Sequence, residues 1–381
     1  VKRTKCGSCS SEDLYQFLSL APTPLADVFP DTPAADEIRY PLGAMVCQEC
    51  WLVQLSEIVP DELLYGADYG FYTGASPSSL AYFEDYATSL LIEHTEQAVK
   101  GLVVEIACND GTLLQHLAKA GCQVLGVEPA AGPAAAARAT GLNVMVEPFS
   151  PDLARRIVAV HGQASMVIAK KLLAPGGVIS IEVQYVADLL LGNGFDLLYH
   201  EHRYFFSIGS LTTLLASHDL NIVAVQRTPA QGGSIRVQVR HQPRGVGFAD
   251  RVALHYRSAY SSMQLRAEQI QVQLRDLIQQ EQRAGRVVVG YGAPAKSCTL
   301  LNWIEAGPDL IEVIHDATPS KDGRFTPGTH IPITTNPLPA GYNVTAVLLA
   351  HNYLPGVLRR EREFLDAGGR FIVPLPVPVV I

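Results

Sequence analysis

Residues 195–207 read FDLLYHEHRYFFS, and within four positions Tyr199, His200, Glu201 and His202 bring together a phenol, two imidazoles and a carboxylate. Imidazole titrates near neutrality and suits proton transfer. A phenol can donate a hydrogen bond to developing negative charge, and a carboxylate can orient an imidazole and stabilise its cationic form. Three readings are open: an acid–base site, a metal site, or a polar turn. In an extended segment successive side chains face opposite sides. Tyr199 and Glu201 would then share one side and His200 and His202 the other, which disfavours a metal held by all three adjacent ligands.

A second set of reactive residues is more specific. CGSC (Cys6, Cys9) and CQEC (Cys47, Cys50) are two CxxC pairs separated by 37 residues. The two-residue spacing aims both sulfurs of each turn at one point, so together they suit a tetrahedral thiolate zinc site. Four thiolates leave no open coordination position, so the zinc is expected to be structural. The alternatives are two disulfides or four free buried thiols. The intervening LAPTPLADVFPDTP is rich in proline and excludes a long helix.

Two acids mark a third place. GLVVEIACNDGTLLQHLAKAG predicts a buried parallel strand over 102–106 carrying Glu105, a turn from Ala107 through Asn109 and Asp110 to Gly111, and a helix burying Leu113, Leu114 and Leu117. CQVLGVEP predicts the next strand, ending at Glu128 and Pro129. Ligands of such doubly wound sheets lie beyond the carboxyl ends of the strands. One glycine in place of GxGxxG leaves little provision for a pyrophosphate, whereas a carboxylate ending the second strand can accept both ribose hydroxyls. The combination suits a nucleoside without phosphates, S-adenosylmethionine (SAM) rather than NAD. The same packing without a ligand is the alternative.

The elements that must position these residues fall into three blocks. After the cysteine block, the central block continues through strands near 166–169 and 177–183, a helix after Gly209, and an antiparallel pair at 221–226 and 234–241. Between SMVIA and KKLLAPGGVIS there is no room for the crossover of roughly ten or more residues that parallel strands require. A helical stretch over 250–285 leads to RVVVGYGAPAKSCTLLNW, again strand, glycine turn (Gly290, Gly292) and helix, with Lys296 in its first turn. Such a turn can hold phosphate; plain packing is the alternative. Further strands are expected at 310–315, 344–349 and 369–374.

Composition limits what the whole chain can do. With 48% hydrophobic and 17% charged residues over 381 positions, the chain can fill two or three packed cores. A formal charge of −8 disfavours wholesale binding to nucleic acid or anionic lipid. No apolar run reaches the roughly 20 residues of a membrane span, and Val1–Lys5 does not lead into a secretory signal. We expect a soluble cytoplasmic protein, a monomer or weak dimer, with no nucleic-acid or membrane partner.

In order along the chain, CGSC and CQECWLVQL, DYGFYTGASPSS, VVEIACNDGTLL, YHEHRYFFS, GGSIRV, GYGAPAKSCTLLN, HDATPSKDGRFTPGTHIPI and GGRFIVPLP resemble the nucleotide-sugar C-methyltransferases. These are typified by enzymes that methylate C-3′ of dTDP-4-keto-deoxysugars. The resemblance implies an α/β protein with a zinc-binding domain (1–70), a Rossmann-like SAM domain (71–245) and a C-terminal Rossmann-like α/β domain holding the nucleotide (246–381). It implies a role in deoxysugar and antibiotic biosynthesis, with a dTDP-linked ketosugar as substrate. It implies that Glu105, Ala107, Asn109, Asp110 and Gly111 form the SAM loop, with Glu128 and Pro129 at the ribose and Pro148 and Phe149 near the adenine.

Methylation beside a ketone requires loss of an alpha proton, so His202 is the expected base, Tyr199 and Glu201 its support, and His200 the less favoured base. Tyr69 and Tyr72 are expected over SAM or sugar, where an aromatic face suits the sulfonium cation. Lys296, Lys321 and Arg324 offer charge to a diphosphate; Tyr185, His330 and Asn352 follow on the resemblance alone. Three departures stand out: the short Ala169–Lys170 junction, either a deletion or an unrecorded segment; EVQY at 182–185; and Arg203 after YHEH. Two other functions remain open, O- or N-methylation of another small metabolite and an inactive binding protein.

Overall fold

The computed structural model describes residues 1–34, 36–65, 69–168, 173–241, 247–339 and 343–381. The Ala169–Lys170 junction lies outside the described residues, as does the expected domain boundary at 245.

The first sheet grows from the cysteine turns. Strands β1 (Leu14–Thr23), β2 (Tyr40–Cys47) and β3 (Val53–Leu55) are antiparallel, and Leu14 lies opposite Cys47. This register brings the two CxxC turns to one end of the sheet. Each turn closes in the same way: Ser10 N–H donates to Cys6 O and Trp51 N–H to Cys47 O, both at 3.0 Å. Ser10 and Trp51 each take a left-handed backbone (φ 63° and 60°).

The central sheet takes strands β4 (Leu102–Ile106), β5 (Gln123–Val127), β6 (Val144–Met145), β7 (Ala164–Ile168) and β8 (Leu173–Gln184). Strand β9 (Tyr204–Phe205) leaves it, and β10 (Asn221–Thr228) and β11 (Ser234–Arg240) complete it. The order is β10-β11-β8-β7-β4-β5-β6, parallel from β8 to β6 and antiparallel where β11 meets β8 and β10. Val103 and Val104 in β4 are fully buried between helix layers, as expected of a parallel strand covered on both faces. Strand order reverses at β4, so the crevice opens beyond the carboxyl ends of β4 and its neighbours.

Strand β9 pairs instead with β3, Val53 opposite Phe205, and makes the first sheet four-stranded. The cysteine block is thus stitched to the segment that follows His202.

The third sheet comprises β12 (Val287–Tyr291), β13 (Ile314–His315), β14 (Ile333–Thr334), β15 (Val344–Leu348), β16 (Arg370–Val373) and β17 (Val379–Val380), ordered β14-β13-β12-β15-β16-β17. Only β17 is antiparallel. Helix Met263–Arg283 buries Met263, Ala267, Ile270, Leu274 and Ile278, the three-and-four spacing of a single face. It packs against both β1 and β12. Each buried Ile or Leu contributes about 1.5–3 kcal/mol.

Two expected elements are shorter in the structure. The helix expected over 250–285 begins only at Met263, because Asp250 accepts hydrogen bonds from Ile208 N–H (2.7 Å) and Gly209 N–H (3.0 Å) at the start of another helix, Ile208–Ala216. The strand expected at 310–315 is reduced to Ile314–His315. Its first residues instead form a turn in which Leu310 N–H and Ile311 N–H both donate to Gly307 O.

Candidate active site and metal centre

The loop after β4 alternates its backbone sign. Ala107, Asn109 and Gly111 take φ of 57°, 52° and 75°, a conformation that costs non-glycine residues and concentrates at functional sites. Glu128, at the end of β5, clamps this loop: one carboxylate oxygen accepts from Asn109 N–H and the other from Ala130 N–H beyond Pro129, each at 2.8 Å. A carboxylate offers about four lone-pair sites, so each oxygen keeps one. Burial raises the Glu128 carboxyl. Glu105 is also buried, with one oxygen lacking a partner among the described residues, and burial and the charges of Asp110 and Glu128 raise it. Pro148 and Phe149 follow β6; Pro148 is exposed and Phe149 packs on the core.

The side chains of Asn109 and Asp110 have a task the sequence did not suggest. Asn109 accepts from Thr73 N–H (2.9 Å) and donates to Phe71 O (3.1 Å), while Asp110 accepts from Gly74 N–H (2.7 Å). They fasten the DYGFYTG segment across the loop. Tyr72 is partly exposed, and its hydroxyl lies 2.8 Å from where a Cβ on Gly132, at the start of helix Ala131–Ala139, would be. Tyr69 stands edge-on to Tyr65 at 5.5 Å. Burial and the charges of Asp27, Glu201 and Glu128 raise its phenol.

YHEH is a turn, not an extended segment. His202 N–H donates to Tyr199 O at 2.9 Å, so Tyr199 and His202 come together rather than facing apart. Nδ1 of His202 lies 3.2 Å from Leu197 O. A carbonyl can only accept, so Nδ1 carries the proton and Nε2 accepts from the Tyr199 hydroxyl at 2.7 Å. Burial holds the His202 imidazole down at about 4 and raises the Tyr199 phenol. Burial and the nearby Asp27 push Glu201 up to about 8, and one of its oxygens has no partner among the described residues. Leu197, not Glu201, therefore orients His202.

His200 faces the other way. It lies 3.3 Å from Pro41 O and edge-on to Tyr40, inside the first sheet's packing. Arg203 donates to Val59 O at 2.6 Å and pairs with Asp61. Beside this turn an open cavity of about 460 Å³ is lined by Tyr65, Glu182, Glu201, His202, Gln231 and Ser234, among others. Tyr185 does not reach it: it is 1% exposed, and its hydroxyl accepts from Arg251 N–H at 3.0 Å.

The basic residues of the third block also have protein partners. Lys296 is 6% exposed and pairs with Asp196 at 3.2 Å, beside Asn352 and His351. At the glycine turn, Ala293 N–H donates to Asp316 at 2.6 Å, so a carboxylate already sits where a phosphate was expected. Lys321 donates to Ala293 O (2.8 Å) and lies over the Phe29 ring; Arg324 holds Phe29 O and Asp31; His330 meets Glu37 at 2.7 Å. All three tie the third block to the proline-rich loop after β1. Sequence reasoning missed Asp27, Asp196 and His351. Only Asp196 carried a signal, as it stands in the FDLLYHEH stretch itself.

The four cysteines converge. Their sulfurs lie within 4.8 Å of one another, with Cys6–Cys50 at 3.5 Å and Cys9–Cys47 at 3.6 Å. Both separations are too long for disulfides. They approach the roughly 3.8 Å between thiolates placed tetrahedrally about 2.3 Å from zinc.

Three family models match in succession: a zinc binding domain over residues 6–65, a methyltransferase domain over 82–225 and a C-methyltransferase C-terminal domain over 229–376. The chain is also 33% identical over 408 residues to C-methyltransferase NovU of Streptomyces niveus, taking in 99% of this chain and 96% of that protein. The chain belongs to this C-methyltransferase family. It is an enzyme, a SAM-dependent methyltransferase with a zinc site at Cys6, Cys9, Cys47 and Cys50. The described residues fit SAM, since Glu128 keeps one lone pair on each oxygen beside a strained loop.

The match to NovU runs over 408 aligned positions against the 381 residues of this chain, so some positions of the relative have no counterpart in the sequence of this C-methyltransferase. Two solved structures are more distantly similar. The magnesium protoporphyrin IX methyltransferase of Synechocystis PCC 6803 is 13% identical, covering 42% of this chain and 78% of that one, with a TM-score of 0.31. The CcbJ methyltransferase of Streptomyces caelestis is 14% identical, covering 41% and 88%, with a TM-score of 0.32. Among the described residues, no helix is long and apolar enough to cross a membrane.

Proposed function

We propose that this C-methyltransferase methylates the carbon beside the ketone, C-3′, of a nucleotide-linked 4-keto-deoxysugar, the nucleotide being dTDP, by way of an enolate. The observation that carries this reading is the tautomer of His202. Its Nδ1–H donates to Leu197 O, which leaves Nε2 as the basic atom, against a buried phenol and beside a cavity at the carboxyl edge of the central sheet. His202 takes the alpha proton at Nε2. To take it, Nε2 gives up the hydrogen bond it accepts from the Tyr199 hydroxyl, which is then free to donate to the enolate oxygen as charge builds there. Glu201, neutral below about 8, supplies a second donor from the same cavity. O- or N-methylation would need no enolate, and so no donor poised for an enolate oxygen.

SAM, when bound, supplies an electrophilic methyl on a sulfonium. Glu128 holds its ribose, the 107–111 loop its amino-acid part, Phe149 and Pro148 its adenine edge, and Tyr69 and Tyr72 close over it. The domains divide as 1–70, 71–245 and 246–381, with the sugar between the last two. Mass spectrometry of products from SAM and a panel of nucleotide ketosugars tests the function. One added methyl on carbon is expected, and a methyl on oxygen or nitrogen overturns it.

Glu128→Ala should weaken SAM binding about a hundredfold, the loss of two hydrogen bonds to a charged group, while dTDP affinity stays nearly unchanged. Titration calorimetry with each ligand reads this directly. Equal loss of both, with the fold intact, counts against the division of ligands between domains.

A further inference from the structure

We infer that the helix following the GYGAPA turn, Ala295–Trp303, positions the catalytic turn, with Lys296 and Thr299 acting on Tyr199 and His202 through Asp196 and Leu198. This rests on the reading of His202 as base given above.

Four contacts run from this one helix to the segment 195–199. Lys296 Nζ pairs with Asp196 at 3.2 Å, and both are buried, Asp196 completely. Thr299 Oγ1 donates to Leu198 O at 2.6 Å. The Trp303 ring meets the Phe195 ring edge-on at 6.4 Å. Cys298 packs with Tyr199 and Ala26 in one buried cluster, against Ala295. His351, at 2.7 Å, makes a second contact to Asp196. Burial alone would raise the Asp196 carboxyl, yet Lys296 and His351 hold it down at about 2, so Asp196 is a carboxylate at every working pH.

A lysine in a glycine-turn helix ordinarily advertises phosphate. Here its ammonium is neutralised inside the protein, and the glycine turn's Ala293 N–H already serves Asp316. What the helix touches is the chain that ends in the catalytic dyad. Leu197, which sets the His202 tautomer, lies between the two anchored residues Asp196 and Leu198. A shift of the anchor therefore moves the carbonyl that orients the base. Misplacement of a reacting group by about 1 Å can cost on the order of a hundredfold in rate.

The test compares Lys296→Met, Asp196→Asn/Lys296→Met and Thr299→Val in the full chain. The double variant leaves no lone charge at the pair, and Thr299→Val preserves shape, so folding of the first is not essential. For the lysine variants we expect kcat to fall roughly tenfold to a hundredfold, with the KM for the nucleotide sugar within about twofold. Thr299→Val should lower kcat by a smaller factor, again at constant KM. Two-bond ¹H–¹⁵N spectra of histidine-labelled protein should show the Nδ1–H tautomer of His202 lost or mixed in the lysine variants. This readout needs no turnover, so it separates failure of the positioning from failure of the base assignment. A tenfold rise in KM at constant kcat would make Lys296 a ligand of the nucleotide and overturn the inference. Unchanged kcat and unchanged His202 signals in the double variant would overturn it equally.

Discussion

Replacing His202 by Asn should lower kcat by about a hundred- to ten-thousand-fold, the usual contribution of a general base, while SAM and the nucleotide sugar still bind. With SAM omitted, the wild type should exchange deuterium from D₂O into the carbon beside the ketone, and His202→Asn should not. Tyr199→Phe should slow exchange and methylation together, because the enolate its hydroxyl stabilises is common to both. His200→Asn should do neither, since His200 packs against Pro41 and Tyr40. If His200→Asn abolishes exchange and His202→Asn does not, the assignment fails.

The pH profile is part of the same expectation. Burial holds His202 near 4, so it is neutral and able to accept a proton throughout the working range, and no acid limb near 6.5 should come from it. Glu201, raised by burial and by Asp27 to about 8, is a neutral donor below that pH and an anion above it. An anion there opposes a growing enolate, so kcat/KM should fall as pH rises through about 8. Glu201→Gln keeps a donor and cannot ionise, and should remove that alkaline limb. Retention of the limb would assign it to another group.

Cys47→Ser should have the larger effect on the fold. Structural zinc contributes about 10–16 kcal/mol in small thiolate sites, as much as the roughly 5–15 kcal/mol that keeps a whole domain folded. Elemental analysis should show one zinc per chain in the wild type and little in the variant, with a lowered Tm. A purely structural zinc would leave the chemistry untouched, but here β3 pairs with β9, and β9 begins two residues after His202. Loss of the metal should therefore lower kcat even in the fraction that stays folded at low temperature. A zinc-free protein with wild-type kcat would show the two blocks to be independent.

Local sequence was enough wherever the deciding interactions are short in range. Leu102–Ile106 is a strand because it is a continuous apolar run, and Thr112–Lys119 a helix because Leu113, Leu114 and Leu117 share a face. The paired CxxC spacing determined the metal ligands, because each turn aims its own sulfurs. Glu105 and Glu128 stand at the strand ends expected of them, because each apolar run fixes where its strand stops.

Only the tertiary structure decided partners that come from distant parts of the chain. It turned YHEH so that Tyr199 meets His202, and it gave the orienting role to a backbone carbonyl, which no side-chain pattern records. It joined Lys321, Arg324 and His330 to the loop after β1, and Lys296 to Asp196, a hundred positions back. A charge in a sequence looks available to any anion. Which anion reaches it depends on which carboxylate folding buries beside it, and desolvation makes that choice strong.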